Sequence, residues 1–283
     1  MVHRILIVTA VAAEADSVSA GLGLGGAELI PLPGGLVLRR HADSPGDAPA
    51  GSAGSPGSPG SPGDGSAGSP GGRLRVDVLV GGVGPAAVAA STGTALAYTA
   101  LTDPPGPSGE PVEPYDLVVS AGIAGGFQPL APLGSVVISS AVVAADLGAQ
   151  TPDGYLTVDE LGFGRSVHPV PEALTGRIAA ALAAAGRPHT VAPVLTVSTV
   201  TGTAGRAAEL AGLRPGAAAE AMEGFGVAEA AAGYAVPVVE IRAVSNAVGP
   251  RDRAAWRIGE ALEALRHTFE LLGKTVFLEL EPS

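Results

Sequence analysis

Cysteine is absent from the chain, which excludes disulfides, thiolate catalysis and Cys-ligated metals together. Aromatic residues are scarce, at 4%, so Ala, Val and Leu must fill any core. Cations are outnumbered: 16 Lys+Arg stand against 27 Asp+Glu, for a formal net charge of −11. Such a chain repels polyphosphate, which argues against nucleic acid as a partner. A local Arg can still accept a small, singly charged substrate. No apolar run reaches the length of a membrane span, so no membrane partner is expected. The start is apolar only from Ile5 to Val8, with Glu14 and Asp16 close behind. That is too short and too acidic for a signal peptide. It reads as a buried first strand, and a soluble, cytoplasmic protein is expected.

What is present is enough for a core. Hydrophobic residues make up 46% of 283 residues, a length that suits one large α/β domain or two small ones. Residues 43–72 hold 10 Gly, 7 Ser and 6 Pro and repeat Ser-Pro-Gly. They cannot bury enough apolar surface to offset their ordering entropy, so a disordered loop inserted into a single domain is expected. It divides two strand-like runs, Leu36 to His41 and Arg73 to Val80, as an inflated β-hairpin tip would. A smaller Pro/Gly loop sits at 103–114. Further strands are predicted at Arg4–Thr9, Leu117–Ser120, Ser135–Ala144, Val191–Val197 and Val238–Ala243. Helices are predicted at about 12–21, 85–101, 171–185, 204–212, 223–234 and 252–272. The alternation argues a mostly parallel sheet covered by helices on both faces. In such sheets ligands bind beyond the carboxyl ends of the strands.

Five runs lie at those ends. After the first strand comes Glu14, which suits either a helix N-terminal acid or a general acid/base at the strand edge. Val80-Gly81-Gly82-Val83-Gly84-Pro85-Ala86-Ala87 matches a dinucleotide fingerprint through Gly82, Gly84 and Ala87. The acid expected after the next strand is missing, since that strand ends in Ser120. A tight turn close to some other ligand, or a purely structural turn, fits better. In Ser120-Ala121-Gly122-Ile123-Ala124-Gly125-Gly126, glycines after a strand would let backbone N–H groups approach a ligand. Neither glycine run carries Lys or Arg, which favours water over free phosphate as nucleophile. Glu220-Ala221-Met222-Glu223 offers a carboxylate that can cap a helix or accept from the cis hydroxyls of a ribose, with Met222 as padding. Glu240-Ile241-Arg242-Ala243-Val244-Ser245-Asn246 ends a β-branched strand. Arg242 should there be paired with a carboxylate, and Asn246 is either a turn residue or a donor–acceptor pair for a ligand.

In this order the five runs resemble the nucleoside phosphorylase/hydrolase superfamily, in particular its methylthioadenosine/adenosylhomocysteine nucleosidase branch. Within it, the runs at 118–126 and 240–246 look like those of the futalosine hydrolases, which act on the route to menaquinone. The similarity spans roughly residues 4–272 without 43–72. It implies a three-layer α/β/α sandwich around a central twisted mixed sheet, no metal or organic cofactor, and a homo-oligomer. It also implies roles. Glu14 matches the acid that activates water. Gly82 and Gly84 match the turn beneath the ribose and water, and Ile123 and Gly125 are further substrate-binding candidates. Met222 and Glu223 match the pair that holds the ribose, Val200 and Thr201 the segment lining the purine, and Asn246 the group that grips the purine near N7. The adenine-specific relatives carry Asp at the position of Asn246, Ser at that of Ile123 and a further Glu at that of Ala221.

The Asn has a chemical consequence. A side-chain amide can donate to O6 of hypoxanthine while its carbonyl accepts from a protonated N7, whereas an ionised Asp cannot donate. A 6-oxopurine nucleoside such as futalosine is therefore the expected substrate, with water as co-substrate. Futalosine carries a carboxyphenyl ketone on its 5′ side, for which Phe163, Arg165 and His168 are candidates. The competing readings are an adenine-type nucleosidase, a nucleoside phosphorylase, a dinucleotide-binding oxidoreductase and a non-catalytic nucleoside-binding module.

Overall fold

The computed structural model describes residues 2–42, 73–103 and 115–280. Along the chain run β1 (Val2–Thr9), α1 (Ala12–Leu22), β2 (Glu28–Pro31), β3 (Val37–Ala42), β4 (Arg73–Val80) and α2 (Pro85–Thr102). Next come β5 (Leu117–Gly126), β6 (Val136–Ala144), β7 (Gly148–Thr151), β8 (Gly154–Thr157), β9 (Val167–Pro169) and α3 (Glu172–Ala184). The last elements are β10 (His189–Thr196), α4 (Ala204–Leu213), β11 (Ala219–Ala221), α5 (Gly224–Ala232), β12 (Val238–Ala247) and α6 (Ile258–Lys274).

Ile5, Leu6, Ile7 and Val8 are all at most 1% exposed, as a strand buried on both faces requires. Accordingly β1 lies mid-sheet, parallel to β4 on one side and β5 on the other. The sheet runs β11-β10-β6-β12-β5-β1-β4-β3-β2. It is mixed rather than mostly parallel: β12 is antiparallel to β6, and β11 to β5. Because β11 bonds to β10 and to β5, five strands close a ring. Ala124, Ala131, Val137, Ala192, Val194, Ala218, Ala219, Ala221 and Val244 form one buried cluster on these strands and their connections. Small side chains suit so tight a closure, and they explain how a chain poor in aromatics packs its core. The α1–α6 pair and the α2–α5 pair supply the outer layers, giving the three-layer arrangement.

Two boundaries differ from expectation. β5 continues through the glycine run, paired with β12 as far as Gly126, so Gly122 and Gly125 are strand residues and not a free turn. α6 starts at Ile258, not 252, because the Asp252 side chain accepts from Ala254 N–H and sets a separate short turn at Arg253–Ala255. The short strands β2, β7, β8, β9 and β11 had no counterpart in the expectation. The expected β3–β4 hairpin pairing is present, with Leu38 opposite Leu79. The expected disorder at 43–72 and most of the loop at 103–114 lie outside the described residues.

Candidate active site

The carboxyl ends of β1, β4, β5 and β12 point the same way, and the candidate residues collect there. Glu14 is the third residue of α1. Its Oε2 accepts from the N–H groups of Ala10, at 3.0 Å, and Val11, at 3.2 Å. Its Oε1 accepts from Ile123 N–H at 2.9 Å. The carboxylate thus caps its own helix and also reaches β5. It is 3% exposed. Burial, with the negative charge of Glu223, raises its pKa against the pull of Arg242 and of the Ile123 and Val11 N–H groups.

Under Glu14 lies Gly122. A Cβ there would fall 2.5 Å from Glu14 Oε1 and 2.6 Å from Arg242 Nη1. Only glycine leaves room for both groups to approach β5, and this accounts for one of the residues in the glycine run. Arg242 is 1% exposed. Its Nε donates to Glu240 Oε1 at 2.7 Å, and its Nη2 donates to Ser120 Oγ at 3.1 Å. Nη2 also lies 3.2 Å from Glu223 Oε2. Burial works against the guanidinium's charge, but Glu240, Glu223 and Glu14 outweigh it and raise its pKa further. The pairing expected for Arg242 is present, with more partners than the sequence suggested.

Glu223 closes the cluster from the start of α5. Its Oε1 accepts from Gly84 N–H and its Oε2 from Met222 N–H, each at 3.3 Å. The turn at 81–84 therefore meets Glu223 directly through the Gly84 N–H. Met222 is half-buried beside it. Thr201 gives both its N–H, at 2.8 Å, and its hydroxyl to Glu220. The loop at 200–203 is pinned by this buried acid, and Val200 is left 39% exposed at its lip. Burial raises the pKa of Glu220 against these two bonds. Asn246 is half-buried at the end of β12, opposite Gly125. Its Oδ1 accepts from Ser245 Oγ at 2.8 Å and its Nδ2 donates to Ala247 O at 3.0 Å. One carbonyl lone pair and one amide hydrogen remain for a ligand.

Phe163, Arg165 and His168 do not form one group. Phe163 is 82% exposed. His168 Nε2 lies 2.8 Å from Glu229 Oε1 and its ring stands against Phe225, while Arg165 is 3.7 Å from the same carboxylate. A different cationic feature borders the site. Arg251 and Arg253 place their guanidiniums 5.5 and 5.8 Å from the centre of the Trp256 ring. This loop is tied to the segment at 200–203 by Arg251 N–H on Gly202 O and to β12 by Arg257 N–H on Ser245 O, at 3.3 and 2.7 Å. Sequence reading passed over it because it lay inside a predicted helix. Glu220, Glu240, Ser120 and Ser245 were quoted within the runs but given no structural role. Their partners lie elsewhere in the chain or depend on side-chain direction. Among the described residues no three His, Cys, Asp or Glu side chains are grouped to hold a metal ion.

A family model described as the phosphorylase superfamily matches residues 65–276. The chain is 61% identical over 189 residues to a futalosine hydrolase of Streptomyces coelicolor, covering 67% of this chain and 74% of that one. It is 39% identical over 272 residues to a futalosine hydrolase of Acidothermus cellulolyticus, covering 95% and 89%. In fold it is similar to a 5′-methylthioadenosine/S-adenosylhomocysteine nucleosidase of Helicobacter pylori (TM-score 0.70, 16% identity, 98% of each chain). It is also similar to the native futalosine hydrolase of that organism (TM-score 0.68, 16% identity, 97% of each chain). The chain belongs to the phosphorylase superfamily and, within it, to the futalosine hydrolases.

Proposed function

We propose that this chain, acting as one catalytic unit, hydrolyses the N-glycosidic bond of futalosine, releasing hypoxanthine and the dehypoxanthinyl sugar on the route to menaquinone. The observation that carries the reading is Glu14, a buried carboxylate of raised pKa held by three backbone N–H groups beside the Glu223–Arg242 pair. Glu223, with Met222 alongside, holds the ribose through its cis hydroxyls. Val200, Thr201 and Asn246 receive the purine. As the bond from C1′ to the purine breaks, positive charge builds on the sugar and electron density moves onto the base. N7 of the leaving base takes a proton from solvent, replaced when Glu14 later releases the one it gains, and Asn246 donates to O6 and accepts from that protonated N7. Water adds to C1′ and gives its proton to Glu14. A positioned base of this kind contributes about 10² to 10⁴-fold.

Water fits better than phosphate as the second reactant. The one guanidinium at the floor is shared by three carboxylates, so an anion there would meet net negative charge. The carboxylate on the substrate's 5′ side has a natural partner in Arg251 and Arg253, with Trp256 for its aromatic ring. We further read the protein as a cytoplasmic homo-oligomer that uses no cofactor. Among the described residues no helix is long and apolar enough to cross a membrane, and light scattering on the purified protein tests the subunit number.

The test is hypoxanthine release from futalosine, with and without phosphate, beside inosine and the 6-amino analogue. Release from futalosine without phosphate is expected. Release that requires phosphate would make the protein a phosphorylase, and binding without release would make it a nucleoside-binding module.

A further inference from the structure

Glu240 has no part in the steps above, yet its placement is unusual. It lies on β12 two residues before Arg242 and is fully buried. Its N–H donates to Ser139 Oγ at 2.8 Å, which fixes the strand at that point. Oε1 takes the Arg242 Nε hydrogen, while Oε2 has no hydrogen-bond partner. The first turn of α5 closes directly over the carboxylate, and it can do so only because residue 224 is glycine: a Cβ there would collide with both Glu240 oxygens. A buried acid with one bare oxygen is costly, and a hydrophobic residue would fill the same space.

The guanidinium's five donors show what the acid does. Glu240 takes Nε, and Ser120 and Glu223 take Nη2. Nη1 has no partner and faces Glu14 across the missing side chain of Gly122. The charged groups facing the cluster are Glu14 from α1, Glu223 from the start of α5, and Glu240 and Arg242 from β12. β5 and β6 contribute only Ser120 and Ser139.

We propose that Glu240 is a positioning residue: it holds the Arg242 guanidinium with its Nη1 edge toward Glu14 and offsets part of its charge, so that Glu14 stays basic enough to take a proton from water. This rests on the hydrolase reading of Glu14. An unshared guanidinium beside Glu14 would stabilise its carboxylate and make it a weaker base. With Glu240 and Glu223 dividing the same positive charge, that stabilisation is reduced.

The test is the pH profile of kcat/KM for futalosine in the wild type, Glu240→Gln and Glu240→Asp. Gln keeps the shape and an acceptor for Nε but removes the charge. Its acid limb is expected about one pH unit lower than the wild type's, with a plateau kcat about tenfold down and KM nearly unchanged. Asp keeps the charge but not the reach. Its acid limb should stay in place while its plateau falls. A Gln variant with the wild-type limb overturns the proposal, because a purely structural acid would move thermal stability and not the limb. Should the Gln variant not fold, a Glu240→Asp variant with wild-type kcat overturns it instead. Wild-type protein that does not hydrolyse futalosine overturns the hydrolase reading, whatever the variants do.

Discussion

Glu14 spends one oxygen on its own helix and turns the other toward β5. Replacing Glu14→Gln keeps an oxygen for the backbone donors but removes the base. We expect kcat for hypoxanthine release to fall about 10² to 10⁴-fold, with KM changed little and the fold intact by circular dichroism. The sign of the pH dependence follows from burial. Glu14's pKa is raised above 4.5, and the base works ionised, so activity should be lost as pH falls through that raised value. Asn246 makes a second residue-scale prediction. Its amide is oriented by Ser245 through Oδ1 and by Ala247 O through Nδ2, leaving one amide hydrogen to donate. The Asn246→Asp variant should lose turnover of futalosine relative to the 6-amino analogue by at least an order of magnitude, since one lost hydrogen bond to a charged or polar group is worth about 1–3 kcal/mol. An unchanged ratio of the two kcat/KM values would remove Asn246 from base selection.

The segment between Asn246 and α6 carries the next prediction. Arg251 and Arg253 flank Trp256 on a loop fastened to Gly202 and Ser245. Neutralising both, Arg251→Gln with Arg253→Gln, should raise KM for futalosine about two- to fivefold, as the loss of about 0.5–1 kcal/mol of exposed ionic contact implies. The same change should leave KM for inosine, which lacks the carboxylate, unaltered. That loop was not legible in the sequence because its residues read as helix and its Arg–Trp contacts are three-dimensional. Other elements were legible. The long helices and the central strands announce themselves through apolar runs bounded by Gly and Pro, Glu14 and Asn246 stand out by falling at strand ends, and Glu223 by opening a predicted helix. The short strands were not. β9 and β11 have three residues each, too few for any periodicity to register, and β11 exists because its neighbours β10 and β5 both need a partner. The glycines after Ser120 also misled: they looked like a turn, but they extend β5 to let Glu14 and Arg242 approach it.

Across the whole molecule, the buried Glu14–Glu223–Glu240–Arg242 cluster has a buried counterpart around Asp77. Asp77 is fully buried between Arg40 and Arg75, with Tyr115 donating its hydroxyl at 2.8 Å. Arg75 and Arg4 also share Asp103. Burial pushes the Asp77 pKa up, but Arg40, Arg75 and Tyr115 together bring it below 3.8. Its folded value is lower than its unfolded one, so its contribution to stability is complete above pH 3.8 and is lost as pH falls through the folded value. Replacing Asp77→Asn should cost about 3 kcal/mol at neutral pH and leave kcat unchanged, measured by urea unfolding alongside the hypoxanthine assay.

The start of β4 has another consequence. The chain leaves the sheet after Ala42 and returns at Arg73, at the end of β4 opposite Gly81. Eight strand residues separate the return point from the catalytic turn, roughly 26 Å at the usual rise. Asp103 and Tyr115, the margins of the second excursion, are bonded at the same end through Arg75 and Asp77. A fluorescent or affinity module spliced between Ala42 and Arg73 would therefore be anchored to the sheet at the end of β3 and β4 away from Gly84.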